Sequence, residues 1–110
     1  MRAVIQRVTH ASVTIEGIKK TEIGNGFIIL LGIEGIDNQE DIDWLVHKIV
    51  GLRVFDDEAG VMNKNIQETN GDIIVVSQFT LMASYKKGNR PSWFRAAGHE
   101  VAIPLYNSFV

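Results

Sequence analysis

Cysteine is absent from the 110 residues, proline occurs only at Pro91 and Pro104, and no apolar run is longer than residues 27–31. Each absence removes a class of chemistry. Without cysteine there is no disulfide framework, no thiolate metal site and no thiol nucleophile, and the composition matches a reducing cytoplasm. The 27–31 run is far below the ~20 apolar residues that span a bilayer. The opening Met1-Arg2-Ala3-Val4-Ile5-Gln6-Arg7 meets a second charge before a signal-peptide core can form. A soluble, unexported, cytoplasmic protein with no membrane partner is expected. Charge of one sign is also scarce: 11 Lys and Arg against 13 Asp and Glu leave a net charge of −2. That balance argues against non-specific coating of nucleic acid, yet permits a local cationic patch that grips one end of an RNA. Repeats and low-complexity segments are missing too. With 45% hydrophobic residues, the chain suits one domain with one core.

The order of elements reads β first, then one clear helix, then β again. Residues 2–16 are rich in β-branched side chains and read as one long bent strand or two short ones. Glu16-Gly17 marks a turn, and Gly24-Asn25-Gly26 gives a hairpin signal before a buried strand at 27–33. Asp37 opens a helix, with Glu40 three residues on in the manner of a capping box. Ile42, Leu45, Val46, Ile49 and Val50 then form the stripe of a helix laid on a sheet, and Gly51 ends it. A short strand is expected at 52–55, a turn at DDEAG, and a strand at 72–78 that is hydrophobic on both faces and so belongs mid-sheet. Residues 100–110 show apolar positions at Val101, Leu105 and Phe109, with Pro104 tolerable in a first helical turn. The stripe stops uncapped at Val110, which points to a natural polypeptide that continues.

Most polar clusters have plain readings. His10, His47 and His99 are separated by whole elements and lack ligand spacing for a metal; His47 follows Asp43 by one turn and reads as a surface pair. Asp56-Asp57-Glu58 are three consecutive acids pointing different ways, which suits a solvated turn better than paired catalytic carboxylates. The glycines of GNGFIILLG precede a strand, so no helix N-terminus is offered to a pyrophosphate. Trp44 reads as packing or interface.

The stretch 75–93, VVSQFTLMASYKKGNRPSW, does not yield so easily. A buried strand ends in Ser77, Gln78, Phe79 and Thr80, where the ladder runs out and backbone donors come free. Donors beside hydroxyls are what ester cleavage needs, because the tetrahedral intermediate carries charge on the former carbonyl oxygen. The other reading of the same residues is a set of satisfied turn formers. Behind them, Lys86, Lys87, Arg90 and Arg95 interleave with Tyr85, Trp93 and Phe94. That mixture engages phosphates and stacks on bases, or else forms a solvated loop whose path Pro91 fixes.

Five separated motifs, MRAVIQRVTHASV, GFIILLGI, DWLVHKIVGLRVF, VVSQFTLMA and KKGNRPSW, together resemble D-aminoacyl-tRNA deacylase, once called D-tyrosyl-tRNA deacylase, along essentially the whole chain. The resemblance implies an α+β fold: a β-barrel-like mixed sheet with flanking helices, a single domain over residues 1–110, and a homodimer. It implies hydrolysis of the ester joining a D-amino acid, or glycine mischarged on tRNA-Ala, to the tRNA 3′-end, as translation quality control. The partner is the aminoacyl-tRNA 3′-end; no cofactor, metal or DNA is expected. The family's SQFT falls on Ser77, Gln78, Phe79 and Thr80, which become the catalytic candidates, with Ala83 just beyond. Lys86, Lys87 and Arg90 become candidates for RNA contact. Arg7 matches the family's N-terminal arginine and would order the site; a strand-edge salt bridge is its alternative. A threonine nucleophile needs an activating base, and none stands beside Thr80 in sequence. A water helped by the ribose 2′-hydroxyl and by N–H groups near Phe79 and Thr80 asks less of the protein.

Two departures stand out. The family carries near its C-terminus a Gly-Pro motif that one subunit inserts into its neighbour's site to exclude L-amino acids, and this chain reaches Val110 before any such segment. Trp93 stands where phenylalanine is usual after RPS. A non-catalytic nucleic-acid-binding dimer of the same fold is the competing class; a small-ligand-binding β-barrel is a third reading that leaves the cations at residues 86–95 without a use.

Overall fold

Alternation of exposed and half-buried side chains sets β1 (Arg2–Val8), as a half-solvated strand requires. The next two strands, β2 (Ala11–Ile15) and β3 (Ile18–Ile23), form an antiparallel hairpin with a register shift between Val13 and Thr14. Its turn is made by Glu16 and Gly17 at φ 52° and 78°, and two successive left-handed residues give the twist that hairpin strands favour. β4 (Gly26–Gly32) is buried along nearly its whole length, and the helix α1 (Gln39–Gly51) follows. A second antiparallel hairpin pairs β5 (Phe55–Asp56) with β6 (Met62–Lys64). β7 (Asp72–Ser77), a 3₁₀ turn at Phe79–Met82 and the helix α2 (His99–Phe109) complete the fold. The computed structural model describes residues 1–82 and 96–110.

Among the described residues the strands form three sheets: β1-β4-β7 in that order, β2-β3, and β5-β6. The described residues are α+β with two helices, as expected, but their sheets do not close into a barrel. The Gly24-Asn25-Gly26 signal marks a change of sheet, not a hairpin, since β3 pairs with β2 and β4 lies between β1 and β7. Gly26 is required by a close approach, because a Cβ there would lie 1.7 Å from the Asp72 carbonyl oxygen. The 72–78 segment was expected mid-sheet, but β7 is an outer strand and β4 holds the centre. Both carry apolar runs; only β4 is buried on both faces, the pattern of a covered strand.

Helix α1 begins later than Asp37. Asn38 caps it: its side-chain oxygen accepts from the Glu40 and Asp41 amides at 3.0 and 3.4 Å, and Asp41 Oδ2 accepts from the Asn38 amide at 2.9 Å. This reciprocal pair is a capping box displaced by one residue from the sequence reading. Asp37 is engaged elsewhere: one carboxylate oxygen takes the Met1 ammonium at 2.8 Å and the other the Glu34 amide at 2.7 Å. The strand expected from 52 starts only at Phe55. The DDEAG turn is built as read, with Asp57 Oδ1 accepting from the Ala59 and Val61 amides. These bonds, that from Val61 foremost, lower the Asp57 pKa. Pro104 lies inside α2, past its first turn, so one intrahelical hydrogen bond is lost. Buried Phe109 and the Tyr106 hydroxyl, which donates to the Val75 carbonyl at 2.7 Å, hold that helix in place.

The described chain divides into two compact units: residues 1–4, 30–46 and 75–110, and residues 5–29 and 47–74. Their segments interleave along the sequence, so the chain is not cut into consecutive domains. In the first unit the buried apolar side chains are Leu31, Ile33, Ile42, Met82 and Phe109. The second buries Phe27, Ile29, Ile49, Phe55, Ile66 and Ile74, with the rings of Phe27 and Phe55 tilted at 5.1 Å. Each fully buried aliphatic or aromatic side chain contributes about 1.5–3 kcal/mol.

Candidate active site

Strand β7 ends by running out of ladder. Ile74 is buried, Val75 and Val76 are half-buried and Ser77 is exposed; the Gln78 amide then makes one more bond, to the Leu31 carbonyl, at 2.8 Å. The chain turns at once into the 3₁₀ segment, closed by the Leu81 amide on the Gln78 carbonyl at 3.3 Å. Met82, 2% exposed, anchors the far end, and Arg2 donates to the Leu81 carbonyl at 2.8 Å. The turn rests directly on Gly32: a Cβ there would stand 2.9 Å from Leu81 Cβ and 3.2 Å from the Gln78 carbonyl oxygen. That contact needs glycine because the Leu81 Cβ and the Gln78 carbonyl leave no room for a side chain, not because of an unusual φ.

Within this turn the Gln78 side-chain amide donates to the Thr80 hydroxyl. An amide is no base, so this contact orients Thr80 without activating it as a nucleophile. Phe79 is 57% exposed, an aromatic face held at the strand end.

A cavity of about 220 Å³ opens beside Ser77 in the same unit, lined by Ser77, His99, Ala102, Ile103 and Tyr106. The four α2 residues stand at i, i+3, i+4 and i+7, one helical face. The sequence reading followed Val101, Leu105 and Phe109 on α2 and missed this neighbouring face. Its signal was the same helical spacing, masked because a histidine and a tyrosine interrupt it.

Arg7 belongs to the other unit. Its guanidinium donates to the Val54 carbonyl and lies 3.9 Å from Asp56 Oδ1, which is the salt bridge named as its alternative. A cleft of about 640 Å³ in that unit is lined by Gln6, Arg7, His10, Asn25 and Asp56 among others. At the hairpin, Glu22 accepts from His10 at 2.7 Å and from Lys19 at 2.8 Å. The Lys19 hydrogen bond first, and then that of His10, hold the Glu22 carboxyl down at about 2. Asp43 takes the Gln39 amide as partner at 2.9 Å, in place of the expected pairing with His47. No group of acidic, histidine or cysteine side chains among the described residues is arranged to hold a metal, and none of their helices is long and apolar enough to cross a membrane. Ser77, Gln78, Phe79 and Thr80 are therefore brought together, and Arg7 is bound within its own unit. Ala83, Lys86, Lys87 and Arg90 lie outside the described residues.

Comparison with known proteins adds three findings. The family model for D-Tyr-tRNA(Tyr) deacylase matches residues 4–110. D-aminoacyl-tRNA deacylases of Phocaeicola vulgatus and Bacteroides thetaiotaomicron are 71% and 65% identical over 109 residues, 99% of this chain and 73% of each relative. Among solved structures, one titled c-Myc DNA Unwinding Element Binding Protein superposes with a TM-score of 0.93 at 45% identity, over 99% of this chain and 73% of that one. A probable eukaryotic D-amino acid tRNA deacylase shares the fold at a TM-score of 0.79 and 17% identity, over 97% of this chain and 63% of that one.

Proposed function

The chain belongs to the D-Tyr-tRNA(Tyr) deacylase family, and from that premise we infer that it is a D-aminoacyl-tRNA deacylase, a hydrolase whose reacting site is the strand end at residues 77–80. The observation that carries the site is the turn at residues 78–82 packed on Gly32, which follows directly on Ser77 where that residue lines a small cavity. At about 220 Å³ the cavity is smaller than the roughly 300–1,000 Å³ of pockets that take whole drug-sized ligands. It suits one ring. In an aminoacyl-tRNA that ring is the terminal adenine, one ribose away from the ester. Tyr106 and Ile103 offer the base its apolar contacts, and the ester then lies toward Phe79 and Thr80.

An aminoacyl ester is labile, so catalysis needs little beyond positioning and charge stabilisation. In this reading a water attacks the ester carbonyl and the backbone N–H groups near Phe79 and Thr80 receive the developing oxyanion. The ribose 2′-hydroxyl assists proton movement, and the C–O bond to the ribose 3′-oxygen breaks. Thr80 is oriented by Gln78 and does not itself attack. Lys86, Lys87 and Arg90 supply phosphate contacts, Ala83 lies against the substrate, and Arg7 orders its own unit. Glycyl-tRNA as a second substrate, cytoplasmic action, the homodimer and residues 1–110 as a deacylase-like domain are parts of the same proposal.

A second reading has one specific support: the relative with a TM-score of 0.93 is titled a DNA unwinding element binding protein. Hydrolysis of D-Tyr-tRNA and L-Tyr-tRNA measured side by side separates the two. Cleavage of the D ester supports the deacylase, and parallel cleavage of the L ester shows that the site lacks a chirality filter. Binding of nucleic acid with cleavage of neither ester moves the assignment to a binding protein.

A further inference from the structure

We propose that His99 is a specificity-determining residue that hydrogen-bonds the edge of the base seated in the cavity beside Ser77. The proposal rests on the reading of that cavity as the seat of the terminal adenine. His99 is exposed in the first turn of α2 and lines the cavity together with Ser77. Its ring has no hydrogen-bond or ion-pair partner among the described residues. The other polar group contributed by α2, the Tyr106 hydroxyl, already donates to the Val75 carbonyl at 2.7 Å. That bond also ties the helix to β7, so the helix that carries His99 is held to the strand that carries Ser77 by packing and not by a free loop. Ala102 and Ile103 complete a wall without polar atoms of their own.

A single-stranded terminal base is recognised by contact of its face with apolar or aromatic groups and by hydrogen bonds to its edges. The cavity offers the first through Tyr106 and Ile103. For the second it offers the Ser77 hydroxyl and the His99 imidazole. Neutral imidazole has one N–H donor and one acceptor nitrogen, whereas adenine presents ring nitrogens that accept and one exocyclic amino group that donates. The N–H of His99 donates to a ring nitrogen of the base. A cavity with only Ser77 as its polar group would hold any ring of that size; His99 makes the seat selective.

The test uses the full chain and an acceptor-stem RNA hairpin ending in CCA, compared with the same hairpin ending in CC. Wild type binds the CCA hairpin about tenfold or more tightly than the CC hairpin. His99→Ala weakens CCA binding about tenfold, the scale of one base-edge hydrogen bond, and shifts CC binding less than twofold. His99→Asn, which keeps an N–H donor, recovers most of the loss. Equal weakening on both hairpins, no weakening on either, or a wild type blind to the terminal adenosine overturns the proposal. Each variant's melting curve is matched to wild type, and His99→Gln serves if Asn shifts it. Binding does not depend on turnover: a wild type that distinguishes the hairpins but leaves D-Tyr-tRNA intact refutes the hydrolase and leaves His99 standing.

Discussion

Asp37 shows how much one misassigned residue can carry. Read as a helix cap, it would contribute about 1 kcal/mol. Instead it holds the Met1 ammonium at 2.8 Å with both groups almost wholly buried. Removing one partner of a buried pair strands the other charge, at a cost of about 3–5 kcal/mol. Asp37→Ala is therefore expected to lower the unfolding free energy by that amount in urea titrations, and a loss below about 1 kcal/mol would show that the pair is solvated. Residue-scale legibility was uneven for a physical reason. Ser77, Gln78, Phe79 and Thr80 stood out because polar side chains interrupt an apolar run, and the turn they form is local. The partner of Asp37 lies 36 positions away, and nothing in local spacing announces it. Likewise Gly32 fell inside the strand expected at 27–33 with nothing local to mark it, whereas its role is to leave room for Leu81 and the Gln78 carbonyl.

At the scale of elements, periodicity was legible and pairing was not. The two strands in 2–16, the turn at Glu16-Gly17, the stripe of α1 and the Asp57 turn were all readable because each is fixed by neighbours in sequence. The rank of β7 and β4 within their sheet was hidden, since DIIVVS and GFIILLG are both apolar runs and only long-range pairing decides which is covered. The β2-β3 hairpin carries a pH signature. Glu22 has a folded pKa of about 2 against an ordinary 4.5, so its pairing favours the hairpin fully above about 4.5 and is lost as pH falls toward 2. The cluster is solvent-exposed, which keeps the effect small. A carboxyl titration followed by NMR should place Glu22 near 2, and Lys19→Ala should raise it toward 4.5; a wild-type midpoint already at 4.5 would mean the pair does not form in solution.

For the whole molecule, the proposed site at residues 77–80 presents a serine, a glutamine amide and a threonine, a set suited to placing a substrate and a water. In the proposed reaction the ester is cleaved by a positioned water and not by Thr80. Single-turnover hydrolysis of D-Tyr-tRNA tests it, with wild type and Thr80→Val acting on substrates ending in adenosine or 2′-deoxyadenosine. The account predicts that Thr80→Val stays within about tenfold of wild type, while the 2′-deoxy substrate slows wild type by about 100-fold, the scale of a lost proton-transfer group. Hydrolysis abolished in Thr80→Val with RNA still bound, and wild type indifferent to the 2′-hydroxyl, would contradict it and make Thr80 the nucleophile.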